Sequence, residues 1–439
     1  MTTLLTETRP LDKPTPLAAP AVPAARADKP ERLVSLDAYR GFIMLAMASA
    51  GFGIPTVARE LTRRGQGSPV WDFLAFHTDH VPWIGCGFWD LIQPSFMFMV
   101  GVALPYSYAS RLGRGDSQAK MFAHAVWRAV VLVLLAVFLS SPAWVTAHAP
   151  AQGAAVGVAG SLLGRHDPAT NWVFTNVLAQ IGLGYVFVYL LVGRGLRVQF
   201  GVIAALFVGY TLFFGLYPVP GPGFDYRAVG LKEGWPHLTG WFAHWDKNTN
   251  AAAAFDTWFL NLFPRRETFY YNEGGYQTLN FVPSLITMIL GLMAGEMLRG
   301  PRPAWDKFRV LVAAAAACLA LGWLAGQFVC PLVKRIWTPT WAVYSAGWTF
   351  LMLAAFYWLI DLRGRRRWAF PLVVVGMNSI AMYCMAQLMK PWVRDNLRTH
   401  LGRSLFAGPY GPLAMSAAVL LVLWLVCLWL YRRKIFLRI

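Results

Sequence analysis

One short stretch of the chain concentrates residue types that can move protons. It contains His77, Asp79, His80 and Trp83, and Asp90 follows ten residues after His80. Histidine titrates near neutral pH, so it can accept a proton from an amine or hydroxyl nucleophile, and it can also carry an acyl group itself. His80 is therefore a candidate catalytic residue, although a single loop histidine is more often an ordinary surface residue.

Two simpler roles compete for these side chains. His77, Asp79 and His80 could hold a metal ion, but no third histidine lies nearby in the sequence, so no metal is expected. Asp90 stands where a helix is predicted to begin, and a carboxylate in a first helical turn is stabilised by the helix dipole. A catalytic role for Asp90 is therefore one of two open interpretations.

Other polar residues lie at or inside predicted membrane helices. Asn378 falls within an apolar segment, where a buried amide either bonds a neighbouring helix or lines a ligand path. Arg40 could face a phosphorylated ligand, because arginine suits phosphates, or it could pair with Asp37 three residues earlier. Both interpretations remain open for each residue.

The elements that must position these residues are membrane helices. Of the 439 residues, 57% are hydrophobic and only 14% are charged, whereas soluble domains carry about 25% charged residues. Apolar runs of the length that crosses a bilayer alternate with polar connections. Ten such segments are predicted, at about 41–58, 88–110, 122–143, 172–193, 198–217, 276–298, 309–330, 341–360, 370–390 and 412–431. The predicted fold is an all-α polytopic bundle of about ten transmembrane helices.

The basic residues predict how this bundle is oriented. The formal net charge is +18, but the arginines and lysines cluster at the ends of apolar runs, as in 363–367 and 432–434. That pattern is typical of membrane topology and not of nucleic-acid binding. Both termini are predicted to be cytoplasmic. Residues 1–31, rich in Pro and Ala, are predicted to be a disordered cytoplasmic tail, and 32–439 to form one transmembrane domain.

The same topology places the long connections on the outer face, at 59–87, 144–171, 218–275 and 391–411. Long ordered loops usually carry function. The largest is rich in aromatic residues, namely Trp235, Trp241, Trp245, Trp258, Tyr270 and Tyr271. These rings could stack on a carbohydrate, or they could form an aromatic belt at the membrane interface.

Five stretches, taken together and in order, carry a resemblance to a known family. They are Arg32-x-x-Ser35-x-Asp37-x-x-Arg40-Gly41, His80-x-x-Trp83-x-Gly85 with Asp90-Leu91, Pro94 and Phe96, Val177-Leu178 to Gly182, Pro283-Ser284-Leu285-Ile286-Thr287 with Gly291 and Ala294-Gly295, and Lys334-Arg335-x-Trp337 leading to Gly376-Met377-Asn378-Ser379. In this order they resemble the heparan-α-glucosaminide N-acetyltransferase family and its bacterial relatives. No single stretch is specific, but the collinear set covers about residues 32–390.

The resemblance implies a transmembrane acyltransferase. Acetyl-CoA would bind from the cytoplasm, and its acetyl group would reach an amino sugar or glycan on the outer face. The family's active-site histidine falls on His80, while Trp83, Asp90 and Asn378 would contact substrate or shape the site. The CoA phosphates would be held by inner basic residues such as Arg40, Arg111, Lys120 and Arg128, which ordinary positive-inside charge also explains.

The resemblance also bears on partners and location. The expected partners are the lipid bilayer and a small-molecule or glycan acceptor, with a homodimer left open and no nucleic acid. The absence of any Asn-x-Ser/Thr sequon suits a bacterial inner membrane. The chain departs from the family at Gly51, where the family has an asparagine that assists catalysis, and its loop between Gly51 and His80 is longer.

Two functions of other classes compete with an acyltransferase. A secondary transporter of a small sugar-like molecule would often show repeated halves with broken helices, and no such repeat is evident in the sequence. A scaffold without activity is compatible with the Gly51 departure. Labelled acetyl-CoA and an enclosed amino sugar would distinguish the three.

Overall fold

The computed structural model describes residues 33–141, 170–265 and 267–437. The predicted tail 1–31 and almost all of the predicted loop 144–171 lie outside these residues. Within them the chain is helical, and its only β pairing is an isolated antiparallel bridge between Ile84 and Val333. The helices are α1 Val34–Ser49, α2 Ile54–Arg63, α3 Pro69–Thr78, α4 Ile92–Leu112, α5 Gln118–Leu139, α6 Val177–Tyr189, α7 Leu196–Gly215, α8 Ala251–Phe259, α9 Phe281–Arg299, α10 Ala304–Phe328, α11 Pro339–Phe356, α12 Phe370–Met377, α13 Ser379–Leu388, α14 Lys390–Leu401 and α15 Gly411–Arg432.

The predicted membrane-spanning helical bundle is confirmed, and the count of ten is approximate. In the described part of the chain, 8 helices are long and apolar enough to cross a bilayer, or up to 9 if the bent pair α12–α13 counts as one span. The segment predicted at 172–193 forms only α6, whose 13 residues reach about 20 Å. It starts late because Asn176 caps it and donates its amide to Ser140 at the end of α5.

The central helices are α4 and α9. The apolar window of each of these two spans is 72% buried, against 17–22% for α7, α10 and α15. A helix that is apolar all round and mostly unburied by protein must face lipid. The three exposed helices therefore form part of the lipid boundary, and α4 and α9 form the core.

Glycines bring the central helices into backbone contact. A Cβ on Gly291 of α9 would lie 2.1 Å from the carbonyl oxygen of Phe98 in α4, and one on Gly101 would lie 2.0 Å from that of Met288. A second glycine contact joins α1 to α12, where Gly376 meets the carbonyl of Asp37. Small residues let membrane helices approach closely, and this packing fixes the bundle in the absence of a hydrophobic force between helices.

Successive spans run in opposite directions and so define two faces. One face, called the His80 face, carries the end of α3, the start of α4, the long connection 216–280 and the connection 329–338. The opposite face carries the starts of α1, α5, α7 and α10 and the arginine-rich turn 363–367. The Ile84–Val333 bridge ties two connections of the His80 face together.

Candidate active site

His80 and Asp90 form a hydrogen-bonded pair on the His80 face. His80 lies two residues beyond α3, and its Nδ1 is 2.8 Å from Oδ1 of Asp90. Asp90 lies in the 3₁₀ turn Phe88–Leu91 that leads into α4. The carboxylate is fully buried, whereas 34% of the histidine side chain is exposed. Since the buried carboxylate accepts a hydrogen bond from Nδ1–H, we assign Nε2 as the ring nitrogen with a free lone pair.

The other oxygen of Asp90 organises the loop that follows His80. Oδ2 accepts hydrogen bonds from the backbone N–H groups of Val81 and Gly87, at 3.3 and 3.1 Å. Gly87 is the N-cap of the turn, so the Asp90 carboxylate accepts the hydrogen bond of the cap residue and also holds the histidine. A side chain on Gly87 would meet the carbonyl of Phe76 at 2.9 Å, which explains the glycine there.

A third charged residue, Lys334, completes this cluster. Its Nζ lies 2.9 Å from His80 Nδ1 and 3.5 Å from both His80 Nε2 and Asp90 Oδ1. Because the Nδ1–H group donates to the carboxylate, the acceptor for the ammonium is Oδ1 of Asp90, and Nζ packs against the ring nearer to Nδ1 than to Nε2. Burial lowers the pKa of Lys334 to about 8, and the charge of Asp90 opposes that shift.

The sequence alone does not identify Lys334 as a site residue. It stands 254 positions from His80, between two predicted spans, and no local spacing links the two residues. The one signal that could have found it is its place in the Lys334-Arg335-x-Trp337 stretch of the family resemblance.

Arg335 joins the loops around the cluster. Its Nη1 donates to the carbonyl of Gly274 at 2.7 Å, and its guanidinium reaches the carbonyl of Val81 at 3.4 Å. The same group lies over the ring of Tyr276, 5.3 Å from its centroid. Three connections that are far apart in the sequence are thereby held together around His80.

Trp83 is a framework residue of this face. Its indole is 5% exposed and donates to the carbonyl of Trp245 at 3.0 Å, and its edge meets the ring of Trp235. It therefore connects the His80 loop to the long connection and shapes the site from within. The aromatic residues of that connection include the buried Trp245 and the exposed Trp241, Trp258, Tyr270 and Tyr271.

A second histidine–aspartate pair lies in the long connection, and no spacing in the sequence predicts it. Nδ1 of His237 is 2.6 Å from Oδ2 of Asp246, and 34% of the histidine side chain is exposed. Asp246 also accepts from the indole of Trp235. Among the described contacts this pair has no counterpart of Lys334, which distinguishes it from His80 and Asp90.

His77 has a structural hydrogen bond. Its Nδ1 accepts from the backbone N–H of Phe88 at 3.2 Å, which fixes the end of α3 against the start of the turn. In the part of the chain that the structure describes, no group of three or more His, Cys, Asp or Glu side chains could hold a metal ion.

The conformation of Gly51 shows what an asparagine, the residue that the family has at this position, would meet here. It is one of four consecutive residues, Ala50 to Gly53, that all have positive φ, between 50° and 66°. A Cβ on Gly51 would lie 2.5 Å from the carbonyl oxygen of Thr78, two residues before His80. An asparagine cannot occupy this position without moving the end of α3.

Asn378 forms the break between α12 and α13, which are bent by 68°. Its Oδ1 accepts from the backbone N–H of Leu437 at 3.3 Å, and its buried Nδ2 has no partner in the described residues. This hydrogen bond ties Asn378 to the chain beyond α15 and not to the His80 cluster.

The predicted phosphate-binding cations have protein partners, and all except Arg128 lie at the opposite face. Arg128 is the eleventh of the 22 residues of α5, about 15 Å along the helix from its start. Arg40 pairs with Asp37 at 3.6 Å, and Lys120 pairs with Asp116 at 2.6 Å. Arg128 donates to the hydroxyl of Tyr185 and lies over its ring. Arg111 shares Asp116 with Lys120. A cavity of about 10 Å³ at this corner is lined by residues that include Tyr108, Arg111, His124, Tyr185 and Tyr189, so it has room for about one water molecule.

Comparison with known proteins supplies a context for this geometry. No protein-family model matches the chain. It is 23% identical over 418 residues to the heparan-alpha-glucosaminide N-acetyltransferase of Mus musculus, with 84% of this chain and 55% of that protein covered. The Homo sapiens protein of the same name is 23% identical over 471 residues, covering 93% of this chain and 60% of its own length. The chain thus spans less than two thirds of the relatives it matches.

Proposed function

We propose that this multi-pass membrane protein, a distant relative of the heparan-alpha-glucosaminide N-acetyltransferases, is itself a membrane acyltransferase. It moves an acetyl group from acetyl-CoA at the opposite face to an amino sugar or other glycan at the His80 face. The observation that carries the proposal is the partly exposed ring of His80, which is bonded through Nδ1 to a buried carboxylate and has a buried ammonium beside it.

The cluster has the parts that acyl transfer from a thioester needs. Asp90 fixes the ring and stabilises the imidazolium that forms when Nε2 takes the proton of the acceptor amine. The neutral amine attacks the carbonyl carbon as Nε2 takes this proton, the C–S bond of the tetrahedral intermediate then breaks, and CoA leaves as a thiolate that accepts the proton from His80. Lys334, 3.5 Å from Nε2, offers its positive charge to the oxyanion of the tetrahedral intermediate.

The same nitrogen also serves a two-step route. Nε2 can attack the thioester to give an acetylimidazole and CoA, and the acceptor amine then displaces the imidazole. Acid quenching of the protein with acetyl-CoA and no acceptor separates the routes, because only the two-step route leaves an acetyl group on His80, which mass spectrometry detects.

On the opposite face, the donor's phosphates require cations that can be released from their partners. Lys120, His124 and Arg128 follow one side of α5 at intervals of four residues, and Arg111 at the end of α4 faces the same corner. We place the CoA phosphates there, with Arg40 as a further cation on α1. With both termini cytoplasmic, the protein resides in the bacterial inner membrane.

The test uses purified protein in liposomes, with labelled acetyl-CoA outside and glucosamine inside. Molecules whose His80 face points into the liposome should form N-acetylglucosamine. His80→Ala should lower the rate about 10²- to 10⁴-fold, as expected for loss of a general base. His237→Ala is the matched control, since it removes an equally exposed, aspartate-bonded histidine from the same face. Equal losses in both variants would remove His80 from the mechanism.

One observation favours a second candidate, a transporter of a small sugar-like molecule. The α12–α13 span is broken at Asn378, and broken spans are typical of transporter binding sites. The same liposomes decide between the two, because a transporter would accumulate unmodified sugar and would not need acetyl-CoA. If neither product nor uptake is seen, a scaffold is the remaining function.

A further inference from the structure

The hairpin of α2 and α3, which leads directly into His80, has the features of a lipid-binding element. α3 has no buried residue, and three large apolar side chains follow one of its sides at intervals of three. Val70, Phe73 and Phe76 are 66%, 62% and 52% exposed. Apolar side chains clustered in this way on a helix surface mark an interaction site.

The packing of the hairpin places this apolar side at the level of the membrane boundary. Trp71 of α3 contacts Tyr410, with ring centroids 5.9 Å apart, and Gly53 abuts Pro412 in the first turn of α15. α15 is one of the lipid-facing spans. Trp71 lies on the other side of α3 from Val70, Phe73 and Phe76, so α3 packs against the start of α15 through that side and turns its apolar side away from the protein, near the end of this lipid-facing span.

A cavity between α2 and α3 shares Phe76 with this surface and reaches Asp79, the residue before His80. It has a volume of about 440 Å³ and is lined by apolar residues that include Phe76 and Ala58, by Arg59 and Arg63, and by two carboxylates, Asp72 and Asp79. The Asp79 side chain accepts the backbone N–H of His80 at 2.8 Å. Asp79 therefore links the wall of the cavity to His80, which does not itself line it.

The charges of α2 suit a phosphate at the mouth of this cavity. Arg59 is exposed and, within the described residues, donates only to the hydroxyl of Thr56. Arg63 lies 3.9 Å from the carboxylate of Glu60. Glu60 forms a closer ion pair with Arg64, at 2.8 Å. Two arginines one turn apart above an apolar helix side match a phosphate joined to a hydrocarbon chain.

We infer that the acceptor reaches His80 from the membrane, as an amino sugar attached through a phosphate to a lipid anchor. The anchor chain lies along Val70, Phe73 and Phe76, the phosphate contacts Arg59 and Arg63, and the sugar extends past Asp79 to His80. This inference rests on the proposed acetyl transfer and specifies its acceptor class.

The first experiment compares two acceptors in liposomes, soluble glucosamine and a glucosaminyl phospholipid. Replacing the three apolar side chains of α3 together (Val70→Ser, Phe73→Ser, Phe76→Ser) should raise the KM for the glucosaminyl phospholipid about tenfold more than the KM for glucosamine. This tenfold difference corresponds to about 1.4 kcal/mol of binding free energy. Folding should survive, because α3 contributes no buried side chain to the core. Equal changes for both acceptors would overturn the inference.

The second experiment tests the phosphate contact with a matched pair on α2. Arg59→Gln should selectively weaken the use of the glucosaminyl phospholipid, whereas Arg64→Gln, which removes an arginine that does not line the cavity, should leave both acceptors unaffected. The same loss in both variants, or in neither, would contradict a phosphate site at Arg59.

A third measurement does not depend on turnover. Phe73→Cys carrying an environment-sensitive fluorophore, in nanodiscs of phosphatidylglycerol and phosphatidylcholine, should show blue-shifted emission that is quenched by spin-labelled lipid. Emission typical of water, quenched by iodide alone, would refute lipid contact at α3 even if acetyl transfer is observed. If lipid contact is seen without any acetyl transfer, the proposed function fails while the lipid-facing hairpin stands.

Discussion

At the scale of single residues, the site depends on two buried charges that stabilise each other. Removing one member of a buried pair leaves an uncompensated charge, which is strongly destabilising. Asp90 and Lys334 are 0% and 4% exposed, so neither is replaceable alone without a structural effect. Removing either neighbour of His80 therefore changes the structure as well as the chemistry, so the pH profile of the wild type is the primary test and Lys334→Met has to be interpreted together with its thermal midpoint.

We expect the activity to decline above about pH 8. The pKa of Lys334 is lowered to about 8 by burial, so above that pH the ammonium becomes a neutral amine and can no longer stabilise an oxyanion. The measurement is kcat/KM between pH 6 and 10. Lys334→Met should have a low kcat and no alkaline decline, while His237→Ala should retain the decline. An activity that stays constant to pH 9.5 in the wild type would contradict a charged Lys334 in catalysis.

The stability of the protein should respond to pH in the opposite direction. An unfolded lysine titrates near 10.4, so between about pH 8 and 10.4 the unfolded state binds the proton that the folded state has lost. The contribution of Lys334 to stability is therefore lost as the pH falls through 8 and is regained at higher pH. The thermal midpoint of the wild type should therefore rise relative to that of Lys334→Met between about pH 8 and 10. Parallel curves between pH 7 and 10 would contradict the lowered pKa.

The sequence singles out His80 and Asp90 but does not predict that they bond to each other. They lie ten residues apart in one stretch, and the structure joins the two side chains. Lys334 could not be found in this way, since its place depends on how two distant spans pack. The predicted cations of the opposite face are visible in the sequence, but their partners, such as Asp116 for Lys120, are not.

At the scale of elements, a left-handed turn sets the position of α3. Ala50 to Gly53 end α1 with four positive φ values, which is unfavourable for Ala50 and Phe52 because their Cβ atoms crowd the following carbonyl. The turn brings Gly51 against the carbonyl of Thr78. The end of α3, and with it His80, is located by this contact.

Gly51→Asn should therefore impair the protein and not restore a missing catalytic group. Asparagine tolerates positive φ, but its Cβ would lie 2.5 Å from the Thr78 carbonyl, so α3 must shift. We expect a loss of acetyl transfer of at least about tenfold and a lower thermal midpoint by a few degrees, as for overpacking of about 1–3 kcal/mol.

Gly65→Asn is the control for this change. Gly65 also has a positive φ, 73°, but a Cβ placed there would meet no atom within 4 Å. Both the activity and the thermal midpoint should remain close to those of the wild type. A Gly51→Asn variant that is more active than the wild type would show that α3 can move without harm.

The helices that the sequence does not reveal are those without long apolar runs. The sequence predicts one apolar segment at 41–58 and a connection at 59–87, whereas the structure breaks the segment at Ala50–Gly53 and forms α2 and α3 beyond it. The alanine run 251–254 also falls within a predicted connection, 218–275. That run is the start of α8, whose first turn is capped by the Asn250 side chain at 3.0 Å from the N–H of Ala253. Apolar periodicity predicts membrane spans well, but it does not indicate short helices that are fixed by caps and tertiary contacts.

At the scale of the whole molecule, the two faces differ in charge and in length of connections. The turn 363–367 holds four arginines on the opposite face, and the His80 face carries the long connection 216–280. Orientation follows from the short basic turns, and it decides which compartment supplies each substrate.

Cysteine labelling should verify this orientation. In intact cells, Gln66→Cys, at the exposed tip between α2 and α3, should react with a membrane-impermeant maleimide, whereas Gly364→Cys, in the arginine-rich turn, should react only after the cells are opened. Both residues are exposed, so access alone decides the outcome. The reverse pattern would invert the proposed direction of transfer.

The glycine contacts of the core limit how this molecule can move. Where Gly101 and Gly291 meet carbonyl groups of the facing helix, and where Gly41 and Gly376 do the same between α1 and α12, neighbouring backbones touch without intervening side chains. Moving α4 against α9, or α1 against α12, would separate these contacts and leave voids in the hydrocarbon. Each of the two helix pairs therefore moves as a unit, and a gate that admits substrates has to open outside these two contacts.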